Sequence, residues 1–176
     1  MPDFYPYLIA SLPLLHFGMQ PPFSYERFLE ICHQFIPEKD FQLLGTLPKP
    51  EQYSVKDKRY RIIRKWTEFE SALRNELVMI RASRKHVDPE MYLRTGGYRG
   101  SSLAPVVSAA NTNTSILDAE KNLDEIRWKA LDELATGHYF DLELLITYAC
   151  KLLILQRWEN IRSADRTILL EQALRH

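Results

Sequence analysis

Cysteine is scarce in this sequence: Cys32 and Cys150 are its only two, far apart in the chain. Two thiols so placed make neither a disulfide framework nor a metal cluster, and they point to a reducing compartment. An excess of one charge is also missing, since 23 basic side chains face 23 acidic ones. That balance excludes a generally basic nucleic-acid binder and an acidic disordered chain. Long apolar runs are absent too. The stretch from Phe4 to Met19 contains Pro6 and Pro13, lacks a basic leader and is followed by no small-residue cleavage site; Leu142 to Leu155 carries Glu143 and Lys151. Neither supplies the roughly 18–20 apolar residues that a membrane-crossing helix needs. The expectation is a cytoplasmic, folded chain whose 176 residues form one domain, 1–176, with its own core.

Motifs that carry chemistry are equally few. Thr95-Gly96-Gly97-Tyr98-Arg99-Gly100-Ser101-Ser102 is rich in glycine, but it has no lysine and no preceding strand pattern, so it reads as a loop before it reads as a phosphate cradle. No Gly-x-Ser-x-Gly elbow or His-Glu-x-x-His motif occurs. His16, His33, His86, His138 and His176 lack partners at ligand spacing, apart from Cys32 beside His33, which points elsewhere on a helix. The pairs Asp118/Glu120, Asp124/Glu125 and Asp132/Glu133 fit the wet face of a helix, and Cys150 lies in an apolar run as an inert thiol would. The reading is therefore not an enzyme, with no catalytic residue, metal or cofactor assigned.

What the chain has in quantity is helical periodicity. Tyr5 to Pro13, aromatic and bounded by prolines, is expected to be a short extended segment. Ser24 caps a helix carrying Phe28, Ile31, Cys32 and Phe35, and a short turn over Asp40–Leu44 closes at Gly45. Ile62, Trp66, Phe69, Leu73, Leu77 and Ile80 recur near the 3.6-residue period, and no proline or glycine interrupts 55–87, so one long helix is expected there. Residues 88–114 contain Pro89, Gly96, Gly97, Gly100 and Pro105 and read as a long loop. Ser115 caps the next helix, Gly137 closes it, and Asp141 opens a helix apolar nearly all round through Trp158, the mark of a buried rod. A final short helix spans Asp165 to Leu174. The sum is an all-α helical bundle with one long helix.

Charge is uneven along this bundle. Residues 49–99 hold 13 basic and 7 acidic side chains, and each flank is net acidic. The cations include Lys58, Arg61 and Lys65, at the start of the long helix, where they oppose the helix dipole. They read as a solvated helix face or as a contact for an acidic partner or headgroup surface. A second constellation is Glu120, Asp124, Arg127 and Trp128, spaced by three and four on one helix, with Arg157 supplied by the next. It reads as a packed hairpin with a salt bridge between its members, or as a rigid element on which a further protein of an assembly docks.

At these residues the chain resembles a known bacterial family of unknown function encoded with V-type ATPase operons. The resemblance rests on Tyr5 to Pro13, Phe28-Leu29, Trp66-x-x-Phe69-x-x-x-Leu73-Arg74-Asn75-Glu76-Leu77 and Ala119-Glu120-x-x-Leu123-Asp124-x-x-Arg127-Trp128. The portion from 115 to 160 is also similar to the C-type (or d-type) stalk protein of V/A-type rotary ATPases, through Glu120-x-x-Leu123-Asp124, Phe140-Asp141 and Leu144-x-x-x-Tyr148 to Arg157. The resemblance implies a non-catalytic central-stalk component between the rotor ring and the soluble motor. Its partners would be other ATPase subunits, with no nucleic acid and only peripheral membrane contact. The C-type stalk protein is about twice this length and has internal repeats that this chain lacks. A soluble enzyme or nucleotide-responsive module using the 88–114 loop is the alternative.

Overall fold

The computed structural model describes residues 4–47, 60–94, 103–110 and 115–174, the side chains of 110 and 165–174 excepted. The α-helices are α1 Pro6–Ser11, α2 Tyr25–His33, α3 Glu38–Thr46, α4 Arg61–Lys85, α5 Leu103–Ala110, α6 Ile116–Ala135 and α7 Leu142–Leu174, with a 3₁₀ turn at Pro89–Tyr92. Among the described residues there is no strand, only an isolated antiparallel bridge between Phe4 and Asp141. The fold is all-α. The chain divides into two compact units, Met1–Tyr53 with Ala135–His176, and Ser54–Leu134.

In the first unit, the segment expected to be extended is helical instead. Pro6 occupies the first position of α1, where its missing N–H costs no hydrogen bond. The Ser11 hydroxyl then donates to the Leu8 carbonyl at 2.7 Å, and buried Leu8 anchors the turn. In α2, the Ser24 hydroxyl accepts the Arg27 N–H at 3.2 Å, as a capping serine should. Phe28 and Cys32 are buried, but Phe35, assigned to the same face, is exposed. α3 is longer than the expected turn and runs through Gly45. α7 is the central rod: Leu145, Ile146, Ala149, Leu152 and Leu155 are all buried, and Phe28 stacks on Tyr148 with centroids 5.5 Å apart. It does not stop near Trp158. Neither glycine nor proline separates Trp158 from Asp165, and the helix continues unbroken to Leu174. Before it, Gly137 adopts a left-handed conformation (φ 88°), which a side chain would strain.

In the second unit, α4 covers 61–85 of the expected long helix, and residues 55–59 lie outside the described ones. Its stripe forms a core in which Leu73 and Leu77 meet Val107 of α5 and Leu123 of α6, flanked by Phe69, Ile80, Leu103 and Ile126. The region 88–114, expected to be a loop, therefore contains ordered structure. Val107 is fully buried, so α5 is held by the core even though Pro105 sits in its first turn. Gly96, Gly97 and Gly100 lie outside the described residues.

Candidate interaction site

Helical spacing brings charged groups to the inner face of the second unit. On α4, Trp66, Glu70, Leu73 and Leu77 follow one another at four, three and four, so Glu70 stands in the apolar row. On α6, Asp124, Trp128 and Leu131 repeat the pattern, and all three are buried. Arg127 lies between the two rows. Its Nε donates to Glu70 Oε1 at 2.8 Å and its Nη1 to Asp124 Oδ1 at 2.8 Å. Arg74 Nε approaches the other Glu70 oxygen at 4.0 Å. Asp124 is only 1% exposed, and the Arg127 side chain 15%.

Burial by itself would lower the proton affinity of Arg127, but Glu70 and then Asp124 more than offset it and hold the guanidinium above its ordinary range. A fork-shaped cation that bonds two carboxylates from two helices fixes the register between them. Such a group is a rigid brace; it offers no proton to move and no nucleophile.

The sequence-derived site residues divide accordingly. Asp124 and Arg127 meet directly, and Trp128 is buried one turn further along α6. Glu120 is half-buried on the same helix. Arg61 and Lys65 are exposed on the first turns of α4, Lys58 lies outside the described residues, and Arg157 is exposed on α7 in the first unit. The ion pair of Arg127 with Glu70 joins α6 to α4. Sequence reasoning misses Glu70. Its signal is an acidic residue inside an apolar row, which demands a buried partner.

The first unit carries two further polar clusters. The Tyr5 hydroxyl donates to Asp40 Oδ2 at 2.8 Å, and Asp40 is 1% exposed. His138 sits between two carboxylates, with Nδ1 2.7 Å from Asp141 and Nε2 2.8 Å from Glu143. Asp141 also accepts the Leu144 N–H at 3.0 Å, so the pair ties down the start of α7. A mostly apolar groove of about 220 Å³ lies in the same unit, lined by Ile9, Leu12, Leu15, Leu145, Tyr148 and Lys151 among others. Cys32 is buried, and that burial pushes its thiol up to about 12, away from the thiolate form. Among the described residues no group of His, Cys, Asp and Glu could hold a metal ion, and no helix is long and apolar enough to cross a membrane.

Among known families, one described as a protein of unknown function (DUF2764) matches residues 101–167. That span contains α5, α6 and most of α7, and so Asp124, Arg127 and Trp128. No curated protein matches, and no solved structure does.

Proposed function

We propose that this chain is a non-catalytic peripheral component of a V/A-type rotary ATPase, a part of the central stalk akin to its C-type stalk protein, linking the membrane rotor ring to the soluble motor. The observation that supports it best is the brace at Arg127. The residues through which the chain resembles the operon family and the stalk protein, Glu120 to Trp128, lie on a helix locked to α4 by an ionic fork. Torque transmission asks for stiffness, and packed helices joined by a charge-assisted hydrogen bond resist sliding. In this reading the chain is cytoplasmic, held at the inner face of the membrane by its partner proteins, and it needs no cofactor. Arg61 and Lys65, exposed at the start of α4, supply a positive surface for an acidic stalk or headgroup region.

Affinity capture of the tagged chain from solubilised membranes of its source cell, followed by mass spectrometry, tests the reading. ATPase subunits should be enriched, and Arg61→Glu with Lys65→Glu should reduce their yield. Capture without any component of the ATPase would overturn it.

A further inference from the structure

The most unusual surface of the second unit lies at the far end of α4 from these cations. His86 ends the helix in a left-handed conformation (φ 54°), and the Val87 N–H returns to the Ala82 carbonyl at 3.1 Å. The chain then doubles back along α4. At the end of that return the Asn75 side chain grips the backbone of Arg94 twice: Oδ1 accepts its N–H at 2.9 Å, and Nδ2 donates to its carbonyl at 3.2 Å. Residues 87–94 are thus tied at both ends, with Asp88 capping the 3₁₀ turn between them through the Glu90 N–H at 2.9 Å.

This frame holds apolar side chains out toward solvent. Met91 is 81% exposed and Tyr92 61%, with Val87 also exposed. Met79 stands one turn beyond Asn75 on the same helical row and is exposed as well. The two ties fix the path of the segment that carries them. The surroundings are positive. Arg84, Lys85 and Arg94 are exposed, α4 has no acidic residue after Glu76, and Asp88 and Glu90 are the only acids from Leu77 to Arg94.

We propose that this surface binds an amphipathic helix of a partner protein, whose apolar face covers Met79, Val87, Met91 and Tyr92 and whose acidic flanks meet Lys85 and Arg94. Thioether side chains adapt to helical faces of varied shape, and the excess of cations selects the sign of the flanks. The proposal does not rest on the ATPase reading, because any acidic helix of this pattern satisfies it.

The test uses the full chain carrying methyl-labelled methionine, which gives four signals, from Met1, Met19, Met79 and Met91. It is titrated with a synthetic peptide of about five helical turns bearing a Leu/Phe face and Glu flanks, and with its Lys-flanked counterpart. The Met79 and Met91 methyls should shift with the acidic peptide while Met19 stays in place, and the Lys-flanked peptide should bind about tenfold more weakly at low salt. Met91→Ser with Tyr92→Ser should abolish binding without changing the melting temperature, and Asn75→Ala should weaken it by releasing Arg94. Equal response to both peptides, or an equal shift at Met19, overturns the proposal. A Met91 shift that follows protein concentration alone overturns it in favour of a second copy, and the same shift with phosphatidylglycerol vesicles overturns it in favour of a membrane. None of these outcomes bears on which proteins co-purify from cells.

Discussion

Asp40 in the first unit and Asp124 in the second are equally inaccessible, each 1% exposed, yet different donors bond them. Asp40 accepts from the neutral hydroxyl of Tyr5, with Lys39 Nζ further off at 3.9 Å, whereas Asp124 is bonded to a buried guanidinium that is shared with Glu70. The first unit relies on aromatic packing, with Tyr25, Phe28 and Tyr148 in ring contact. A phenol there brings apolar surface together with its donor. The second unit is built of helices with dense surface charge, and a cation on one of them can serve two carboxylates at once. The difference teaches that a buried carboxylate need not mark a site. Its partner decides whether it ties the start of α1 to α3 or belongs to the cluster that joins α6 to α4.

The largest effect should come from breaking the aromatic side of this comparison. Phe28 is fully buried, so Phe28→Ala should cost about 3–5 kcal/mol, read as a shift in denaturant midpoint. Next should be Arg127→Ala. It leaves Asp124 and Glu70 facing a site without their shared cation, at a cost of about 2–4 kcal/mol, discounted from a fully buried pair because Arg127 keeps some solvent contact. Replacing Arg127, Asp124 and Glu70 together with Met, Leu and Leu should recover most of that loss, which a sum of three independent deletions would not. If the triple variant is as unstable as Arg127→Ala, the loss comes from the missing brace itself and not from carboxylates left without their cation.

Much of this fold is legible because its signals are periodic. The stripe Phe69, Leu73, Leu77 and Ile80 on α4, the Ser24 and Asp141 caps and the left-handed Gly137 are local features, each needing only a turn or two of neighbours to express itself. The misreadings have a common cause in contacts made at a distance. Tyr5 to Pro13 carries strand-like residues, but a strand needs a partner along its length, and the described chain offers only the single bridge from Phe4 to Asp141. α5 is hidden by Pro105, whose cost at a first turn is small once Val107 reaches the core. The break expected near Trp158 has no breaker residue behind it. At the candidate site, Asp124 and Arg127 can be paired from their spacing, while Glu70, 57 residues away, can be found only by asking which partner an acidic residue in an apolar row must have.

Tyr5→Phe tests the neutral side of the comparison at smaller scale. It removes the hydroxyl while leaving the ring, so the cost should be about 1–2 kcal/mol from the weakened satisfaction of Asp40. The same substitution should be nearly independent of salt, because the lost donor carries no charge. Raising ionic strength should change Arg127→Ala more than Tyr5→Phe, in proportion to the exposure of Glu70.

The last effect is a slope with pH, absent at neutrality. Cys32 has its thiol raised from about 9.0 to about 12 by burial, so between those values the unfolded chain loses a proton that the folded chain keeps. The sign follows from the number of bound protons: stability attributable to Cys32 is complete below pH 9 and declines as the pH rises toward 12, by up to about 1.4 kcal/mol per pH unit. Other groups titrate in that range, and so the informative quantity is a difference between slopes. Urea midpoints of the wild type and Cys32→Ala, measured from about pH 8 to about pH 10.5, should converge as the pH rises, although the variant starts lower for lack of packing. Parallel lines would mean that the thiol one turn from Phe28 ionises as readily in the folded chain as in the unfolded one. The aromatic core of the first unit would then be wetter than its packing implies, and the contrast with the ionic second unit correspondingly weaker.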